Sequence, residues 1–135
     1  MADTMSEYLF VYGTLMSGMP AAEMLTGAAR LVGRGLVRGV LYDLGEYPAL
    51  WPGDGDVWGE VYAVAGGATL RRIDAYEGCD PSQPESLFRR GRVDVRLENG
   101  AVIRAWAYFY DRPLPPRARR IVCGDYRLQA LGGRA

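Results

Sequence analysis

The chain contains no histidine and no lysine; all 16 of its basic residues are arginine. Without an imidazole there is no Ser-His-Asp or Cys-His nucleophile pair and no zinc site with histidine ligands. Without lysine there is no Schiff base and no P-loop lysine. Arginine stays charged in proteins, so proton transfer falls to Asp, Glu, Tyr or Cys. Arginine in place of every lysine is equally what a genome's base composition would produce. Cysteine is scarce as well: Cys79 and Cys123 form neither a disulfide framework nor a CxxC motif, and both are expected to be free, buried thiols in a reducing compartment. No apolar run approaches the ~18 residues that cross a membrane. Met1 to Glu7 carries two acids and no base, unlike a signal or transit peptide, so a cytoplasmic location is expected. Sixteen acids balance the sixteen arginines, and zero net charge argues against a nucleic-acid partner.

What is present suits a single domain over 1–135, with a core at about 7–128 and frayed termini. Hydrophobic residues make up 49% of the 135 and charged residues 24%, ordinary globular usage. Tyr8 to Tyr12 reads as a strand stopped by Gly13. Pro20 to Leu25 reads as a short helix. Leu36 to Leu44, Tyr47 to Trp51 and Val57 to Val64 read as strands, with a turn at Asp54-Gly55-Asp56. Thr69 is placed to cap a helix carrying Leu70, Ile73, Ala75 and Tyr76 and ending at Gly78. Phe88 to Leu97 and Val102 to Tyr110 form a hairpin around Asn99-Gly100. Arg117 to Leu131 is expected to hold a last short helix. The fold class is α+β: a small, mostly antiparallel β-barrel flanked by two or three short helices.

Three places hold candidate chemistry. Tyr12-Gly13-Thr14-Leu15 closes the first strand, where a glycine lets backbone amides approach an anion such as a carboxylate; a plain turn is the alternative. Glu77 stands near a helix C-terminus, where the dipole disfavours negative charge. A raised pKa is expected there, which suits a general base; a solvated surface glutamate is the alternative. Asp74, three residues earlier, is expected to pair with Arg71 or Arg72 if it does not share that face. Arg89, Arg90 and Arg92 offer bidentate carboxylate or phosphate binding, or simply a solvated strand face. Trp106, Tyr108, Phe109 and Tyr110 are expected to serve the core on one face and line a cavity on the other. Glu46 and Glu60 are reserve carboxylates, read as a turn residue and a strand-face residue.

In order, these pieces resemble the γ-glutamylcyclotransferase-like (AIG2-like, BtrG-like) family from Leu9 to about Arg127. The family's Y-G-[ST]-L appears as Tyr12-Gly13-Thr14-Leu15. Its G-x-L-Y-d-l-G-x-Y-P-a-l appears as Gly39 through Leu50, V-x-G-E-v-y as Val57 through Tyr62, and L-D-x-x-E-G as Ile73 through Gly78. The resemblance implies a small β-barrel and an enzyme that releases 5-oxoproline and a free amine or amino acid. In that reaction the α-amine of a γ-glutamyl compound attacks its own γ-carbonyl, so the resemblance implies no metal and no other cofactor. Glu77 would be the general acid/base, and Tyr12, Gly13, Thr14 and Leu15 would bind the glutamyl moiety. The expected partner is a small γ-glutamyl amine or peptide; the oligomeric state is left open. Where the family commonly has Tyr-x-Arg, this chain has Phe88-Arg89-Arg90. A non-catalytic small-molecule-binding or regulatory member of the same fold is the alternative.

Overall fold

The computed structural model describes residues 7–13, 29–45, 47–77, 79 and 86–128, with Glu77 described in its backbone alone. Within them run β1 (Glu7–Val11), β2 (Ala29–Asp43), β3 (Pro48–Val64), α1 (Gly67–Glu77), β4 (Phe88–Leu97), β5 (Val102–Tyr110) and β6 (Arg119–Arg120). β3 pairs antiparallel with β1 and β2, β2 with β4, and β4 with β5. β5 returns to β1 in parallel through Leu9 and Trp106. Five strands therefore close into a barrel with four antiparallel seams, the expected fold class, and β6 extends β2. Beside it stand α1 and a helical turn at 126–128; the helix expected over Pro20–Leu25 lies outside the described residues.

Strand alternation divides the apolar residues into two cores. Phe10, Tyr12, Val57, Val61, Val95 and Ala107 belong to the cluster that fills the barrel. Leu9, Val11, Tyr62, Val64 and Tyr108 belong to a second cluster, which packs with Leu70 and Ile73 of α1. Burying each of these two helix residues stabilises the docked helix by about 1.5–3 kcal/mol. A barrel this small is filled by its own side chains, so a ligand site belongs on its wall or at its ends.

The long strands differ from the sequence expectation. Tyr47–Trp51, from Pro48 on, and Val57–Val64 are parts of one strand, β3, and 54–56 is not a turn between strands. The register with β2 jumps from Arg38↔Asp56 to Val40↔Trp51, so residues 52–55 bulge opposite Gly39. Glycine makes that possible: a Cβ on Gly55 would lie 2.8 Å from the Gly39 carbonyl oxygen. β2 begins at Ala29, well before Leu36. α1 begins at Gly67 with the Gly66 carbonyl accepting from Leu70 N–H at 3.2 Å, which places the cap at Gly66 (φ 100°) and Thr69 inside the first turn.

The chain after Pro115-Pro116 is no helix from Arg117. The free edge of β2 captures Arg119–Arg120 as β6, and Gly124 turns with φ 71°. Its carbonyl accepts from Trp58 N–H at 2.7 Å. Asp125 then caps the helical turn through Leu128 N–H at 3.1 Å. Both cysteines are free; Cys79 is buried as expected, whereas Cys123, in this turn, is exposed.

Candidate functional site

β1 delivers Tyr12 and Gly13 to the end of the barrel; Thr14 and Leu15 lie outside the described residues. The Tyr12 ring is buried, and its hydroxyl donates to the Tyr108 carbonyl at 2.6 Å while accepting from Leu50 N–H at 3.2 Å. The side chain is thus a strut across the barrel, joining β1, β3 and β5. Gly13 lies against Pro48: a Cβ there would stand 2.8 Å from the proline Cγ. The Y-G-T-L and Y-P-A-L segments meet at this point. The glycine of V-x-G-E has the same kind of reason, since a Cβ on Gly59 would lie 2.3 Å from the Val11 carbonyl oxygen.

α1 lies on the outer wall. Leu70, Ile73 and Asp74 are buried, while Arg71 and Arg72 are exposed. Glu77 is the last residue of α1; its side chain lies outside the described residues. The arginine that grips Asp74 is Arg90 of β4 and not Arg71 or Arg72, whose side chains are exposed while Asp74 is buried. Its carboxylate faces the barrel and receives Arg90 bidentately, Nε to Oδ1 at 2.9 Å and Nη2 to Oδ2 at 3.2 Å. The Tyr108 hydroxyl also donates to Asp74 Oδ1. The Asp74 carbonyl accepts from Cys79 N–H at 2.9 Å, closing the helix end.

The arginine cluster therefore does bind a carboxylate, but one of the protein's own. Arg90 and Arg92 also lie over the Trp106 ring at 4.6 and 4.0 Å, and Trp106 Nε1 donates to Glu7 at 2.9 Å. Arg89 remains exposed near Asp111. Glu60 is a strand residue, as expected, and lies buried on β3. Arg127 donates to it at 3.0 Å and the Tyr62 hydroxyl at 3.3 Å. Burial, with the Glu60 charge beside it, pushes the Tyr62 hydroxyl up to about 12. Asp125, also buried, pairs with Arg34. Each of these three buried carboxylates meets the planar fork of an arginine, the cation suited to such pairs. Glu46 lies outside the described residues.

Phe88, the departure from Tyr-x-Arg, is buried between aromatic rings: Tyr47 at 5.7 Å and Tyr110 at 5.6 Å between centroids. Sequence reasoning missed the part played by Tyr108. It stands in the aromatic run of β5, whose alternation places Trp106, Tyr108 and Tyr110 on the helix side and Ala105, Ala107 and Phe109 inside. The period of two was readable; the partners of its hydroxyl and carbonyl were not, because they come from β1 and α1. The described residues also form an open cleft of about 370 Å³ lined by residues including Arg38, Asp56, Asp94 and Arg96. It contains none of the motif residues.

Comparison with known proteins adds four findings. A family profile described as "Gamma-glutamyl cyclotransferase, AIG2-like" matches residues 9–128. The chain is 35% identical over 127 residues to the gamma-L-glutamyl-butirosin B gamma-glutamyl cyclotransferase of Niallia circulans, covering 93% of this chain and 80% of that protein. It is 34% identical over 106 residues to the gamma-glutamylcyclotransferase family protein YtfP of Escherichia coli K12, covering 78% and 84%. The solution structure of ytfP from Escherichia coli superposes with a TM-score of 0.63 at 32% identity, covering 88% of this chain and 95% of that one.

Proposed function

This chain belongs to the gamma-glutamyl cyclotransferase, AIG2-like family, and from that premise we propose that it releases 5-oxoproline from a small γ-glutamyl amine or peptide, with Glu77 as general acid/base. The observation that carries the reading is that the two family motifs share one anchor. Tyr12, which leads the Y-G-T-L loop, and Asp74, which leads D-x-x-E-G, both bond to Tyr108.

In the proposed reaction, amides of the Tyr12–Leu15 loop hold the substrate α-carboxylate. Glu77 takes a proton from the α-ammonium. The freed amine attacks the γ-carbonyl, and a new C–N bond closes the five-membered lactam. Glu77 returns that proton to the leaving nitrogen and the bond to it breaks; the second proton, lost by the ring nitrogen as the lactam forms, passes by way of Glu77 to the released amine, which departs as an ammonium. Atoms and charge balance without water, metal or a nucleophilic side chain. The attack is intramolecular, so holding the substrate folded supplies much of the rate advantage. A single carboxylate suffices for both proton transfers, which accords with a chain that has neither histidine nor lysine. Among the described residues, the buried carboxylates Glu60, Asp74 and Asp125 are each engaged by an arginine in holding the fold; the assignment to Glu77 follows from its place in the D-x-x-E-G motif.

The test is 5-oxoproline release, measured by chromatography, across γ-glutamyl amines, γ-glutamyl amino acids and glutathione. Turnover of at least one small donor is expected. Measurable binding of the donors without turnover of any would favour a non-catalytic binding role.

A further inference from the structure

The following rests on the cyclotransferase reading and concerns what sets the two halves of its site against each other. Tyr108 reaches both sides of the barrel wall. Its main chain lies in β5, where its carbonyl accepts from the Tyr12 hydroxyl at 2.6 Å. Its ring lies outside, 3% exposed, beneath α1, and its hydroxyl donates to Asp74 Oδ1. Asp74 lies in the last turns of α1, and its carbonyl also closes the helix end by accepting from Cys79 N–H.

We propose that Tyr108 is a positioning residue for the cyclotransferase reaction: one residue that holds the Tyr12-Gly13 loop through its carbonyl and the Glu77-bearing end of α1 through its hydroxyl. Arg90 assists from β4 by gripping the same carboxylate. A proton acceptor must come within about 2.6–3.2 Å of the group it serves, and a displacement of about 1 Å costs on the order of 100-fold in rate. Without the hydroxyl, Asp74 keeps its ion pair with Arg90, and the loop keeps Tyr12. Substrate binding then survives while the base loses its registration.

The experiment compares wild type with Tyr108→Phe, Asp74→Asn and the double variant, assayed for 5-oxoproline release well below their unfolding temperatures. The expected result is a kcat for Tyr108→Phe lowered on the order of 10- to 100-fold with KM changed less than about threefold, the signature of an interaction needed in the transition state. The two losses combine to less than their product, because both variants act on one contact. A Tyr108→Phe variant with wild-type kcat, or with KM raised as much as kcat falls, overturns the positioning role while leaving the cyclotransferase reading intact. A wild-type chain that releases no 5-oxoproline from any donor overturns both.

Discussion

Tyr12 is the residue on which a substrate-contact role and a structural role of the side chain separate most cleanly. Tyr12→Phe keeps the ring, which stands 6.4 Å from that of Phe10 between centroids, and removes only the hydroxyl. That hydroxyl serves a buried N–H and a buried carbonyl: Leu50 is 0% exposed and Tyr108 is 3% exposed. The carbonyl has a second lone pair, whereas an N–H has one proton to place. Leaving such a donor unsatisfied costs about 1–3 kcal/mol, so we expect a loss near 2 kcal/mol. For a chain of this length that lowers Tm by roughly 7 °C. Thermal and urea unfolding followed by far-UV circular dichroism would measure it. An unchanged Tm together with a raised KM for γ-glutamyl donors would refute the strut and assign the hydroxyl to the substrate instead.

Two further outcomes follow from the packing and from the tyrosines. Gly59→Ala should lower the urea midpoint by an amount equal to about 1–3 kcal/mol or more, because its Cβ would meet the Val11 carbonyl oxygen at 2.3 Å and the Phe10 ring at 2.6 Å. Gly33→Ala, whose nearest neighbour would stand at 4.0 Å, should stay within about 0.5 kcal/mol of wild type. Tyr62 is raised from 10.0 to about 12, first by burial and then by the charge of Glu60 and its hydrogen bond, against a lowering by Arg127. A raised folded value means the native state holds the proton more tightly, so this stabilisation is complete below pH 10 and is lost as pH rises towards 12. With no lysine titrating in that window, urea midpoints of Tyr62→Phe should fall less steeply than wild type between pH 10 and 12; parallel curves would contradict the assignment.

The parts of this fold readable from sequence are those fixed by near neighbours. The Asn99-Gly100 hairpin forms as expected, Gly100 taking φ 91° and Phe88 pairing with Tyr110 through to Arg96 with Val102. The stripe of Leu70 and Ile73 announces α1 to within a few residues. What was not readable depends on partners far along the chain. β3 runs through Pro52 and two glycines because β2 lies alongside to receive the bulge. Arg119–Arg120 become a strand because β2 has an edge to offer. Asp74 finds Arg90 on β4 because helix docking buries its carboxylate against the barrel, while Arg71 and Arg72 stay exposed. The motifs named the residues that converge, but only the fold shows Tyr12 and Asp74 anchored to the same tyrosine.

The central claim is that a chain without histidine or lysine performs its proton transfers with one carboxylate, Glu77. The most direct measurement is 5-oxoproline release by Glu77→Gln and wild type on the best γ-glutamyl donor, with circular dichroism and thermal unfolding confirming equal folding. Removing the general acid/base should lower kcat on the order of 100- to 10,000-fold while the donor still binds. A folded Glu77→Gln variant with wild-type turnover would contradict the account.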